Sequence, residues 1–526
     1  METAEQQIIK LIHKSIMPID RSLSIGRIEI ACPKNQAFGD YSTNIALSLA
    51  KKLKKKPLNL ADDIVQQINK ANSPLLAKIE TAEPGFINFT LSNKYLINLL
   101  TEILKKKHKF CLTKGGDNKK IQIEFISANP TGPLTVGNAR GGYLGDVLGN
   151  VMKSCGYKIT KEYLINDAGS QIENLGHSIL KNEQAVYQGE YIDNLHDKIK
   201  EADPCLAGQQ AAKKILNNYI KKTVRKKMNI EFDVWFSEQK EIREKKLIPQ
   251  IIKWLRRHDY VYEKDGALWF KSTSYGDDKD RVLIRSSGEP TYFAQDFAYH
   301  KNKFDRGFDQ VINIWGADHH GDVKRLQAAA DVLGHKNKLK IILTQFVSII
   351  KNGQEVRMSK RAGNSIYIDD LINEVSADVA RFYFLQYSAA THINFDLNLA
   401  KERSEKNPVY YVQYAYARIC SILRQKEIKK IPAKATLEFQ SPPELSLIKE
   451  LVKLPDLLVG VSQNYQVQNL TQYAINLSDK FHQFYAHCRV INNGKVNWSR
   501  VKLIQAAKII LKSLFDILGI SAPEKM

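Results

Sequence analysis

Between Ile121 and Met152 the chain passes from an apolar run through a glycine- and proline-rich turn into a helical pattern. Ile121–Ile126 is apolar apart from Gln122 and Glu124, and Ser127–Gly142 follows as SANPTGPLTVGNARGG. From Ala139 the pattern is helical and stays so through Met152. Strand, glycine turn and helix in that order form the unit from which doubly wound parallel sheets are built. Gly132, Gly137 and Gly141 permit close approach of backbone to a ligand, and N–H groups at the helix start are donors for an anion. A lone Gly/Pro loop is a plain turn in many folds, so the rest of the chain must decide.

A second strand–turn unit is expected at Lys161–Gln171, and β pattern returns at Val282–Ile284, Val311–Ile314 and Ile341–Ile350. Residues 172 to about 260 are mostly helical in pattern and charge-rich, which suits an insertion (about 172–280) between two halves of a sheet. Upstream, Ile8, Ile9, Leu11, Ile12 and Ile16 have helical spacing. A helix is expected over Ser42–Leu53, ending in Lys51, Lys52, Lys54, Lys55 and Lys56, and a strand within Pro84–Ser92. Lys105–Lys109 and Lys114–Lys120 read as a linker. Beyond about residue 390 apolar residues recur at three- and four-residue intervals, predicting a helical bundle. The expected domains are therefore 1–112, 113–390 and 391–526.

At 526 residues the chain exceeds one simple core. Its net charge of +22 suits a polyanionic partner, although a solvated basic surface would account for much of the lysine. The six cysteines are scattered, with no metal-ligand spacing, and read as reduced thiols. METAEQQIIK lacks an apolar signal region, and no apolar run approaches membrane-spanning length. A cytoplasmic chain with no membrane partner is expected.

Arg357–Asn364, reading RMSKRAGN, supplies the second motif. Together, and in this order, the two segments resemble the ATP loop and the mobile lysine loop of class I aminoacyl-tRNA synthetases. YLINDAGSQI (Tyr163–Ile172), TYFAQDFAYHKNKFDRGFD (Thr291–Asp309) and WGADHHGDVKR (Trp315–Arg325) are similar to segments of the arginyl-tRNA synthetases. Gln36–Lys51 resembles that family's N-terminal domain and Thr391–Ile419 the start of its anticodon-binding bundle. The likeness covers essentially the whole chain.

The resemblance implies a doubly wound, Rossmann-like class I core with an insertion, an N-terminal α/β tRNA-binding domain and a C-terminal all-α bundle. It implies activation of L-arginine by ATP, carried with its Mg²⁺ and without a protein-held metal, and transfer to tRNA(Arg) by a monomer. Ala128, Asn129, Pro130, Thr131, Gly132, Pro133, Leu134 and Val136 would form the ATP loop. Thr135, Gly137, Asn138 and Lys360 would be catalytic, with Met358, Ser359 and Arg361 in the lysine loop. Thr135-Val136-Gly137-Asn138 departs from the class signature His-Ile-Gly-His: a hydroxyl and an amide remain as donors, but neither carries charge.

A guanidinium needs planar carboxylate acceptors. By similarity Tyr292 and Asp296, four apart on one helix face, line the arginine pocket, and Asn129 holds the α-amino group. Glu124 and Asp318 are further candidates; taken singly, any of these acids also reads as a helix cap or surface ion pair. His319 and His320 read as nucleotide-site or structural histidines. Tyr410, Tyr411, Tyr414 and Tyr416, with Arg418 and Arg424, are candidates for stacking on tRNA bases, at least half of the tyrosines being expected in the core. Lys54 in the lysine cluster suits a phosphate, and equally a solvated helix end. A synthetase for another amino acid, or a non-catalytic RNA-binding relative, would share many of these features.

Overall fold

The structure, a computed structural model, describes residues 2–19, 28–33, 35–356, 366–428, 432 and 436–526. Among them, β1 (Lys120–Glu124), β2 (Lys158–Ile165), β3 (Val234–Ser237), β4 (Gln310–Gly316) and β5 (Leu339–Thr344) form one sheet. Its order is β5-β4-β1-β2-β3, and every pairing is parallel. The order reverses between β1 and β4, so the crevice beyond their C-terminal ends is the natural ligand position. Two helices matter most for that crevice: α1 (Val136–Ser154), which leaves the turn after β1, and α2 (Tyr292–Asp305), which precedes β4. β1 is buried on both faces, since Ile121, Gln122, Ile123 and Glu124 are all buried.

The N-terminal residues build a four-stranded antiparallel sheet with flanking helices, and the last part of the chain is a bundle from Pro408–Leu423 to Trp498–Leu518. Tyr41 donates to Asp456 (3.0 Å) and Lys449 pairs with Asp40 (2.9 Å), joining the two ends of the molecule. Arg381, almost wholly buried, ties the bundle to the core. It donates to the carbonyls of Leu518 and Met228 and to Asp146 on α1, whose other oxygen accepts from Lys161 (2.6 Å).

Several elements differ from the sequence-based expectation. β3 lies inside the stretch expected as an insertion, its four residues VWFS framed by charged and polar neighbours that hide the strand period. Arg281–Ile284 belongs instead to an antiparallel sheet with Ala267–Phe270 and Val261–Lys264. Ile341–Ile350 divides between β5 and Val347–Lys351, which lie in different sheets. Val347–Lys351 pairs in parallel with Ile393–Asp396, so a strand opens the region expected to be helical, with Ile393 and Phe395 buried. Lys105 and Lys106 continue the helix Asn93–Lys106, and the buried Phe110 and Cys111 anchor what reads as a linker.

The helices Ser170–Leu180 and Pro204–Ile215 cross at Gly176 and Gly208. A Cβ on Gly208 would stand 1.9 Å from the Ile172 carbonyl oxygen, so only glycine allows this approach. Alanine is ordinarily about 1 kcal/mol better in a helix. Gly208→Ala is nevertheless expected to destabilise the protein by about 1–3 kcal/mol in urea unfolding, because the backbones must separate. Gly460→Ala, where nothing stands within 4 Å, should instead stabilise by up to about 1 kcal/mol.

Candidate active site

Just beyond β1 stand two non-glycine residues with left-handed backbone, Ile126 (φ +67°) and Ser127 (φ +41°). Such conformations persist only where the surroundings hold them. Here Ser127 Oγ donates to Glu124 Oε1 (2.9 Å) and accepts the Leu164 N–H (3.1 Å). Beyond it, Tyr163 and Tyr191 donate their hydroxyls to the carbonyls of Ala128 (2.9 Å) and Thr131 (3.0 Å). Pro130, Thr131 and Leu134 are buried, and Gly132 and Pro133 partly so. The loop is thus fastened before α1 begins.

At the start of α1 the Thr135 N–H and Oγ1 both donate to Asn138 Oδ1, at 3.0 and 2.9 Å. Asn138 therefore spends its oxygen on capping and keeps its Nδ2 hydrogens for another acceptor. Gly137 is exposed, Val136 buried. The Val136 N–H donates to the Ile366 carbonyl (3.3 Å) and the Ile368 N–H to that of Leu134 (3.0 Å). The chain that follows RMSKRAGN is thereby joined to the loop that follows β1. Met358, Ser359, Lys360 and Arg361 themselves lie outside the described residues. Arg140, buried one turn into α1, donates to the carbonyls of Gln345 (2.7 Å) and Ser388 (2.8 Å) and fixes the helix to neighbouring loops.

Across the crevice α2 presents Tyr292, exposed and 3.2 Å from Ser170 Oγ, and Asp296, one turn further on. The Asp296 side chain has no hydrogen-bond or ion-pair partner among the described residues; only its carbonyl is engaged, by His300 Nδ1 at 2.8 Å. Burial pushes its carboxyl up to about 7; Arg325 draws it down, while Glu124 and Asp322 push the same way as burial. Asn129 accepts from Asn166 (2.9 Å) and donates to Gln171 (3.3 Å). Asp318 is exposed, beside His319, and hydrogen bonding to Asp322 (3.1 Å) raises the His319 imidazole. No trio of His, Cys, Asp or Glu among the described residues is placed to hold a metal ion.

Glu124 is not open to the crevice in the way Asp296 is. Its Oε2 accepts from Lys303 at 2.5 Å, and both side chains are buried. Lys303 also donates to Asn313 Oδ1 (2.9 Å), whose amide meets His300 Nε2 (2.8 Å). Burial and Lys303 keep that imidazole neutral. Alongside, burial alone would raise Glu162, but the Arg306 fork and Tyr299 (2.6 Å) hold it below the usual carboxylate range. This network was missed in the sequence. Its signal is a lysine and a histidine on the apolar face of α2, among Phe297, Tyr299 and Phe304.

In the bundle, Tyr410 and Tyr414 stack at 6.1 Å, and Arg418 lies 4.8 Å from the rings of both Tyr414 and Tyr485. Of the four tyrosines only Tyr416 is buried; Tyr411 is half-buried and donates to Asp479 (2.7 Å), fewer core positions than expected. Arg424 is instead tied to the Glu524 carbonyl (2.9 Å). Lys54 is exposed at the end of its helix, far along the N-terminal domain.

Lys303→Met leaves Glu124 buried without its cation. It is expected to cost about 3–5 kcal/mol in urea unfolding, against less than about 1 kcal/mol for the exposed pair partner Lys245→Met.

Residues 5–91 match the family described as Arginyl tRNA synthetase N terminal domain, and 99–222 and 190–382 match tRNA synthetases class I (R), catalytic domain. Residues 412–526 match the DALR anticodon binding domain. An Arginine--tRNA ligase of Moorella thermoacetica is 42% identical over 94% of this chain and 93% of its own length. One of Listeria welshimeri is 39% identical over 100% of both. The crystal structure of arginyl-tRNA synthetase from Plasmodium falciparum covers 100% of both chains at a TM-score of 0.81; at 19% identity this is a likeness of fold. With a parallel sheet reversing at the loop after β1, and matching stretches that run in one order from residue 5 to residue 526, this chain belongs to the class I arginyl-tRNA synthetases.

Proposed function

We propose that the protein is an arginine–tRNA ligase whose arginine pocket is built on Asp296. The carrying observation is that carboxyl itself: half-buried, without a side-chain partner among the described residues, and within the fields of Glu124 and Arg325 in a chain of this family. A guanidinium would supply the missing charge with two parallel N–H donors, and Tyr292 would cover its side. Asn129 holds the α-amino group. Glu124 contributes through its field and its bond to Ser127, and Asp318 lies at the exposed rim.

In the first step the arginine carboxylate attacks the α-phosphorus of ATP, giving arginyl-adenylate and pyrophosphate. In the second a ribose hydroxyl of the terminal adenosine of tRNA(Arg) attacks the acyl carbon and AMP leaves. The backbone from Ala128 to Gly137, with the exposed Gly137 N–H at the start of α1, receives the phosphates. Mg²⁺ comes with the nucleotide phosphates, as suits an ion that keeps most of its water. Lys360 brings an ammonium to the departing pyrophosphate. Thr135 and Asn138 fill the signature positions with a capping pair, so positive charge must come from Lys360 and the helix end; the family's imidazoles would otherwise be worth about a hundredfold. Tyr410, Tyr414 and Arg418 form the anticodon-side face, and Lys54 meets backbone phosphate. The proposed domains are 1–112, 113–390 and 391–526, acting as a monomer in the cytoplasm; no helix of the described residues is long and apolar enough to cross a membrane.

Arginine-dependent ATP–pyrophosphate exchange, assayed with and without tRNA(Arg), tests the reaction. Exchange only in the presence of tRNA is expected from the family. Absence in both conditions, with tRNA binding retained, would make the chain a binding protein and overturn the proposal.

Because arginine needs the Asp296 carboxylate and the free enzyme holds a proton there up to about pH 7, acid weakens binding. The profile of kcat/KM for arginine is expected to rise about tenfold per pH unit up to roughly 7 and level off above it. Asp296→Asn should remove that rise and weaken arginine binding; a retained profile would place the pocket elsewhere. Lys360→Ala should lower kcat by about a hundredfold with little change in the arginine KM, read by steady-state kinetics.

A further inference from the structure

The helix Ser170–Leu180 begins just after β2, and its first two residues touch two of the proposed arginine contacts. Ser170 Oγ lies 3.2 Å from the Tyr292 hydroxyl, and Gln171 Oε1 accepts from Asn129 Nδ2 at 3.3 Å. Gln171 is exposed, and an unheld side chain of that length samples many rotamers. Here a second partner holds it: the Tyr187 hydroxyl donates to the same Oε1 at 2.8 Å. Tyr187 is in turn fixed through its backbone. The buried Ser178 Oγ accepts the N–H groups of Val186 (3.0 Å) and Tyr187 (2.9 Å) while donating to the Asn174 carbonyl (2.7 Å). A relay thus runs from Ser178 through Tyr187 and Gln171 to Asn129, whose Oδ1 accepts from Asn166 Nδ2 (2.9 Å).

The direction of these bonds matters more than their strength. A carboxamide has an acceptor end and a donor end of nearly the same shape, and turning it over exchanges them. The α-ammonium of an amino acid only donates, so Asn129 can hold it through Oδ1 and not through Nδ2. The single hydrogen of the Tyr187 hydroxyl is spent on Gln171 Oε1, which marks that atom as the acceptor of the pair. With Asn129 Nδ2 as its second donor, both lone pairs of Oε1 are filled. Asn129 is thereby set with Nδ2 on Gln171 and Oδ1 on Asn166, and one Oδ1 lone pair stays unengaged among the described residues.

We propose that Tyr187, acting through Gln171, is a positioning residue for arginine: it fixes the amide of Asn129 so that its oxygen meets the α-ammonium. The role rests on the arginine-pocket reading above, in which Asn129 holds that group, and adds to it a half-buried residue from the stretch after the helix. Without the tyrosine hydrogen, Gln171 is free to turn its donor end toward Asn129, and Asn129 then shows an NH₂ to the ammonium. Apparent affinity for arginine scales with the fraction of molecules in the competent orientation. A ligand without an α-amino group has no stake in that orientation.

The test compares L-arginine with δ-guanidinovalerate, the same molecule lacking its α-amino group. Kd is measured for each by calorimetry on the full-length chain with saturating tRNA(Arg), in wild type, Tyr187→Phe and Gln171→Met. The first substitution removes one oxygen, and the second keeps the length of an exposed side chain, so the fold is not at stake. L-Arginine should bind both variants about fivefold more weakly than wild type, while δ-guanidinovalerate binds all three proteins within about twofold. Equal weakening of both ligands, or of neither, overturns the positioning role and leaves the Asp296 pocket standing. A wild type that binds the two ligands equally tightly takes the α-amino group away from Asn129 and overturns the role in the same way. A wild type that binds neither ligand overturns the arginine reading as well.

Discussion

The Lys303–Glu124 pair, sealed beneath the crevice, is the interaction on which the arrangement of the site depends. Burying two charges is costly, and attraction alone seldom offsets it unless the remaining donors and acceptors are satisfied. Here Ser127 takes the second carboxylate oxygen and Asn313 a second ammonium hydrogen, so the pair is nearly saturated. Its geometric effect exceeds its energetic one. Tyr292, Asp296 and Lys303 lie four and eleven residues along α2, on one helix face. Locking Lys303 to β1 therefore fixes the rotation of α2, and with it the side on which Asp296 and Tyr292 lie, Tyr292 meeting Ser170 after β2. The same glutamate, through Ser127, supports the left-handed turn from which that loop departs. One ion pair thus sets both sides of the crevice.

That arrangement explains why one acid is left without a partner. Glu162 and Glu124 each have a cation and lie deep in the sheet, whereas Asp296 has only the more distant fields of Arg325 and His319 in its favour. A site made for a cationic side chain needs this imbalance, since a fully neutralised acid would have little left to offer an incoming guanidinium. The phosphate side follows the opposite logic. Thr135 and Asn138 bind each other and Ile366 takes the Val136 N–H, so the helix start is capped from within and the exposed Gly137 is left to offer its N–H.

The sequence made some levels legible and hid others for physical reasons. The loop after β1 could be read because close approach to a ligand demands glycine and proline at fixed places in a long string. The pair Tyr292 and Asp296 could be read because four-residue spacing on a helix is local. β3 was hidden because four residues between charged neighbours carry no visible period, and only pairing with β2 makes them a strand. Ile393–Asp396 was hidden because its partner lies more than forty residues earlier, at Val347–Lys351. The buried network was hidden because a lysine's burial depends on which strand it meets. Lys303 and Glu124 are 179 residues apart, and nothing local announces their contact.

Arg381 carries the same principle to the scale of the whole chain. Its guanidinium holds the carbonyl at the end of the last bundle helix, the Asp146 carboxylate on α1 and the Met228 carbonyl, with Tyr143 beneath its plane at 5.3 Å. The C-terminal end of a helix carries partial negative charge, so a buried cation there is favoured twice, by the dipole and by Asp146. Gly519 follows Leu518 because any Cβ at that position would strike the guanidinium. The bundle is thus set against the helix whose other end carries the phosphate-binding turn. A tRNA touching both the bundle and the crevice must span a fixed distance, and a loose joint there would charge an ordering entropy to every encounter. A rigid buried clamp, expensive to desolvate but fully hydrogen-bonded, lets the folded chain meet that cost once, before tRNA arrives.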